Sequence, residues 1–150
     1  MKNKALYLSN LSWQKKDWHN VMKKLQINKL YGIDFAPLQL TKSWINIEKK
    51  VKKYSLILKK NRIKVNAIQG IFYKKKLNLF EKKSKNFSKI LNHIKIILKL
   101  CEILKCKKII MGSTEFRNKK NITREIADEI FCNFLKKISP ILKKKKLLYA

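Results

Sequence analysis

The chain has 150 residues, 45% of them hydrophobic, with 38 Lys+Arg against 9 Asp+Glu and a formal net charge of +29. That length suits one domain spanning residues 1–150, and the apolar fraction is too high for a disordered polyelectrolyte. No apolar run approaches the ~20 residues of a membrane span, and "MKNKALYLSNLSW" lacks the continuous apolar stretch of a secretory signal, so a cytoplasmic protein with no membrane partner is expected.

The elements alternate. "ALYL" (5–8) reads as a short strand, and a helix begins near Asp17 with Trp18, Val21, Met22 and Leu25 on one face. "LYGIDFAP" (30–37) is a second strand, opened by Gly32 and closed by Pro37; Ile47, Val51, Tyr54 and Leu58 stripe the helix after it. "IKVNAIQG" (63–70) is a third strand ending at Gly70, and Phe87, Ile90, Leu91, Ile94, Ile97, Leu98 and Cys101 give the following helix a wide apolar face. "KKIIMG" (107–112) is the fourth strand. The next helix has Ile126, Ala127, Ile130, Phe131, Phe134, Leu135 and Ile138 as its core face and is expected to stop at Pro140, with "KKLLYA" starting a fifth strand.

Four β-α units and the start of a fifth strand predict an α/β fold with a parallel sheet covered by helices. A doubly wound dinucleotide binder would carry a glycine-rich turn after its first strand, and "LSNLSW" has no glycine. A complete eight-fold barrel needs roughly 250 residues, so the pattern amounts to a partial TIM barrel, truncated at about half. In such folds chemistry sits in the loops after the strands, so Gln69-Gly70 and Gly112–Arg117 are expected on one edge.

All but three of the basic residues are lysines; the arginines are Arg62, Arg117 and Arg124. Lysine is scattered along the chain apart from "KKKKLL" near its end, and Asn and Ile are abundant too, the pattern that AT-rich codon usage produces. Selected binding of nucleic acid would more often use the planar arginine fork. Cys101, Cys106 and Cys132 show no CxxC spacing and read as buried or semi-buried free thiols.

Four stretches together resemble the sugar phosphate isomerase/epimerase family, whose xylose isomerase-like TIM barrel is shared with the endonuclease IV type of DNA-repair enzyme. "LSNLSW" is similar to its opening strand and Trp, and "YGIDFAP" to its second strand. "VNAIQGIFYKKKLNLF" is similar to its third strand and the approach to the third helix, and "ILKLCEILKCKKIIMGSTEFRN" to its fourth unit. Cys106 replaces a small residue of that pattern, and Thr114 replaces the proline of its Gly-Ser-Pro turn. The resemblance covers the N-terminal half of the family's barrel. It implies sugar or sugar-phosphate isomerisation or epimerisation, with Gln69, Gly112, Ser113 and Arg117 as candidate substrate contacts. It also implies a divalent metal (Mn, Mg or Zn class) in a complete barrel, held from the fifth strand onward, where this sequence has no corresponding positions. No catalytic and no metal-binding residue is therefore expected here, and no cofactor in this chain. A half-barrel with two open edges is expected to self-associate or to bind a complementary C-terminal half. The alternatives are a basic nucleic-acid-binding protein and a non-catalytic remnant.

Among the residues themselves, Gly112-Ser113-Thr114 with Arg117 offers backbone N–H groups, hydroxyls and a guanidinium for a phosphate or sugar. The same turn could simply satisfy its own backbone. Asp34 is read as a structural hydrogen-bonding group facing the barrel interior, His93 and His19 as helix packing or surface residues, and Tyr31, Phe72 and Tyr73 as packing aromatics rather than base-stacking platforms. The excess charge should repel itself. Adding salt that screens beyond ~8 Å should raise the melting temperature, and a thermal scan in rising NaCl that shows no increase would remove that expectation.

Overall fold

The computed structural model describes residues 6–30, 32–81 and 85–149. Its strands are β1 (Leu8–Ser9), β2 (Gly32–Phe35), β3 (Lys64–Ile68), β4 (Lys108–Ile109) and β5 (Leu148–Tyr149). Its helices are α1 (Trp18–Ile27), α2 (Pro37–Thr41), α3 (Ile47–Lys60), α4 (Asn86–Leu104) and α5 (Arg124–Lys144). Every strand pair is parallel, and the sheet order is β1-β2-β3-β4-β5.

That order decides the architecture. Parallel crossovers are right-handed, so a sheet that grows always in one direction receives all its crossover helices on one face. A doubly wound sheet reverses direction at a switch point; this one does not. The result is a partial α/β barrel, a curved wall with helices outside and an open inner face.

The helix side of the sheet carries the core. Ile33 and Phe35 of β2, Val65 and Ile68 of β3 and Ile109 of β4 are buried, and they join Met22, Val51, Ile90, Ile97 and Ile138 from the helices in one core. These helical residues are the periodic positions of the sequence pattern, so the stripes did choose the buried faces. Gly70, two residues past β3, has φ +62°, a left-handed turn that glycine adopts at no steric cost. Gly32 lies under the ring of Tyr7, in the space a Cβ would fill.

Five details depart from the sequence pattern. β1 lies at Leu8–Ser9 rather than 5–8, with Ala5 outside the described residues. Pro37 does more than close β2: it opens α2, where its missing N–H costs nothing at the first helical position. Pro140 does not stop α5, which continues to Lys144. Phe134, Ile138 and Leu142 are buried at i, i+4 and i+8 across the proline, so packing outweighs the lost backbone bond, and Pro140 itself faces outward. Ile126, placed in the α5 core face by periodicity, is exposed, and Cys132 is exposed while Cys101 and Cys106 are buried.

With three glycines in the chain, left-handed positions fall to other residues. Lys29, Lys42, Asn46, Arg62, Lys74, Lys105, Lys120 and Lys146 all have φ between 52° and 60°. Lys105 terminates α4, where the Cys106 amide donates to the Cys101 carbonyl at 3.1 Å, a glycine-type helix stop built on lysine. Replacing it, Lys105→Gly, should stabilise the fold by about 0.5–1 kcal/mol. A urea midpoint that falls in that variant would contradict the assignment.

Candidate functional site

The C-terminal ends of the strands converge at one edge, and Asn10 assembles it. Its side chain is fully buried, accepts from the Ala36 amide at 2.7 Å and donates to the Ala36 carbonyl at 3.1 Å. This two-way clamp ties the segment after β1 to the end of β2. Beside it, Gln69 Nε2 donates to Ser9 Oγ at 2.6 Å and to the Asp34 carbonyl at 3.2 Å, so one amide from the end of β3 spans β2 to reach β1.

Across the inner face runs a second polar chain. The register of β2 on β3 jumps from Ile33↔Val65 to Asp34↔Ala67, which leaves Asn66 as the extra residue of a bulge. Its Nδ2 donates to Asp34 Oδ1 at 2.7 Å, and its Oδ1 accepts from Lys108 Nζ at 3.2 Å. A neutral amide thus sits between a carboxylate and an ammonium, each side meeting the charge it prefers. The hydrogen-bonding role read for Asp34 is its observed one. In a barrel this face is normally packed with branched aliphatic residues; here Asp34 and Asn66 are half-buried, and Lys64 and Lys108 are exposed.

Beyond β4 the backbone continues through Gly112 into a turn. Ser113 Oγ accepts from the Phe116 amide at 3.3 Å, and the Ser113 carbonyl accepts from the Arg117 amide at 3.1 Å. Ser113 therefore satisfies its own turn. The turn is nailed down by Phe116, buried and stacked on Phe72 at 3.7 Å with 5° between the planes. Of the four sequence candidates, Gln69 belongs to the inner-face network and Gly112 and Ser113 to the β4 turn, and no hydrogen bond joins the two sets among the described residues. Arg117 lines a cavity with residues of α5. Ser9, Asn10, Asn66 and Lys108 were not singled out by sequence. Asn66, a polar residue in the apolar run "KVNAI", was the one with a visible signal.

His93 is packing, as read: 3% exposed, edge-on to Trp44 at 4.6 Å, and hydrogen-bonded through Nε2 to the Ile71 carbonyl at 2.5 Å. His19 is exposed. Phe72 is core, Tyr73 is exposed, and Tyr31 lies outside the described residues. Burial, only partly offset by the Ile71 bond and reinforced by the charge of Lys75, lowers the His93 pKa from 6.5 to about 4. The residues do not fit a metal ion: among those described, no group of three His, Cys, Asp or Glu side chains converges. No helix among them is long and apolar enough to cross a membrane.

The class that fold and site define is a partial parallel α/β barrel with a polar inner face. The sequence matches no protein-family model and no curated protein. Solved structures do match. A sugar phosphate isomerase/epimerase from Parabacteroides distasonis superposes with a TM-score of 0.71 at 13% identity, over 99% of this chain and 51% of that one. The IolI protein, solved with a zinc atom, gives 0.70 at 13% identity over 98% and 50%. An AP endonuclease of family 2 from Brucella melitensis gives 0.67 at 12% identity over 97% and 54%. The chain spans about half the length of the structures it matches, and at these identities the likeness is one of fold.

The lowered His93 pKa has a sign. The unfolded chain takes up a proton below pH 6.5 and the folded chain does so only near 4, so the stability due to the neutral ring is complete above 6.5 and declines toward 4. The loss should reach about 3 kcal/mol. Urea unfolding at several pH values should show it, and His93→Gln should flatten the difference; identical pH profiles for the two proteins would refute this origin.

Proposed function

We propose that the chain is one half of a sugar or sugar-phosphate isomerase/epimerase barrel, weakly active or inactive alone, whose inner face is completed by a second half-barrel. The observation that carries this reading is the hydrogen-bonded polar lining, Ser9–Gln69 and Asp34–Asn66–Lys108, on the open face of a sheet whose order never reverses. Polyhydroxylated substrates need such a surface: amide, hydroxyl and ammonium groups fixed before the ligand arrives. Gln69 and the Gly112-Ser113 turn are the proposed substrate contacts on this side.

What the inner face lacks is equally specific. Moving a proton next to a carbonyl needs a base and a means of stabilising the enediolate. Asp34 is committed to Asn66, and no metal-ligating cluster stands among the described residues. The second half would have to supply both. Its docking surface is supported by the two sheet edges: β1 and β5 each have a partner on one side only, and Leu6 at 72% and Leu148 at 64% are exposed beside them. The net charge of +29 opposes pairing with an identical copy and favours an acidic partner half.

The test is reconstitution. The purified chain alone should show no aldose–ketose interconversion with Mn²⁺ or Mg²⁺. Co-expression with an acidic C-terminal half-barrel should give a one-to-one complex with activity, reduced by Gln69→Ala. A compact monomer that binds no such half would overturn the assembly; an active chain alone would overturn the incompleteness.

A further inference from the structure

Lysine in a cavity of this protein says little, because lysine is everywhere. Arginine occurs three times, and two of the three, Arg117 and Arg124, line one cavity of about 510 Å³. It lies at the C-terminal end of the sheet but outside it, between the turn after β4 and the first turns of α5, with Thr114, Lys119, Phe80 and Phe131 completing its walls. Ser9, Asp34, Asn66 and Gln69 do not line it.

The walls are set in advance. Asn78 Nδ2 donates to the Glu115 carbonyl at 3.0 Å and to the Asn118 carbonyl at 2.7 Å, and the Leu79 amide donates to the Phe116 carbonyl at 2.9 Å. The segment bearing Phe80 is thereby bound to the turn bearing Thr114 and Arg117, and stacked Phe116 holds both to the core. Charge inside the cavity is only partly met. Asp128 stands 3.7 Å from Arg124 Nε with both side chains largely exposed, a pair of small energy in water. Glu125 is exposed, and its carboxyl is held below the usual range by its own backbone amide, the Thr123 hydroxyl and the Lys119 charge. The guanidinium of Arg117 makes no hydrogen bond or ion pair among the described residues.

We propose that this cavity binds a small phosphomonoester. The phosphate lies between the forks of Arg117 and Arg124, within reach of the Thr114 hydroxyl and the Lys119 charge, and the organic body rests against Phe80 and Phe131. A phosphomonoester carries nearly two charges and three acceptor oxygens near neutral pH, which suits two planar forks; a carboxylate fills one. The volume falls in the range of small-molecule pockets. This goes beyond the reading above: the inner face contributes no residue to it, and no second half-barrel is needed.

The experiment is a titration of the ¹⁵N-labelled chain with phenyl phosphate, followed by NMR in about 0.15 M salt so that charges beyond ~8 Å are screened. Amides of residues 114–119 and 124–128 should shift saturably, and phenol should leave them unmoved. Arg117→Met with Arg124→Met should weaken binding by about tenfold or more, and Arg117→Lys, which keeps the charge and loses the fork, by several-fold. Lys52→Met with Lys53→Met, two exposed lysines of α3, removes the same charge elsewhere and should change little. Because all these side chains are exposed, each variant should keep its far-UV circular dichroism. Equal weakening in the two double variants, shifts spread over the lysine surface, or tighter binding of an oligothymidylate at the same amides would overturn the proposal.

Discussion

The handedness of parallel crossovers governs this molecule. Because each strand is added on the same side of the one before it, every crossover helix falls on one face, and the sheet is left with an uncovered face and two unpaired edges. Parallel sheets are otherwise buried on both faces. The core between sheet and helices is complete by itself, with Ile33, Phe35, Ile68, Ile90, Ile97 and Ile138 almost wholly out of water. What is left uncovered lies on the other side, at the open face and the two sheet edges.

How that open face avoids being a hydrophobic liability follows from its chemistry. Asn66, pushed out of register by a bulge, lets one carboxylate and one ammonium stabilise each other through an amide without direct contact. Gln69 does the same for the strand ends, spanning three strands with one side chain. Fully satisfied networks of this kind hold donors and acceptors in fixed positions, and they leave a surface that water or a hydroxylated ligand can wet. At the edges, Leu6 and Leu148 are exposed where a further strand would lie.

Composition left its own trace. A chain this rich in lysine and this poor in glycine must end its helices with what it has, and lysines occupy most of the left-handed positions. Such sites strain a side chain by roughly 1–2 kcal/mol each, so they are a standing local cost distributed over the loops. They also show why lysine count is a poor guide to function here, and why the few arginines are more informative.

Much of the fold was legible in order and period. Trp18–Leu25, Ile47–Leu58 and Phe87–Cys101 bury the faces their spacing marked, and Gly70 stands at the turn its position suggested, because helix period and steric permission at glycine are local properties. Local reading failed where distant residues decide. Pro140 stays inside a helix because Ile138 and Leu142 are needed by the core on either side of it. Asn10 and Ala36, 26 positions apart, become a clamp only when β1 lies beside β2. Arg117 and Arg124 share a cavity only because α5 folds back over the turn after β4. The sequence by itself determined the elements, their alternation and the sign of the surface. Tertiary structure alone decided which polar groups meet, since hydrogen bonds and charge clusters form through space, at angstrom distances that no spacing along the chain encodes.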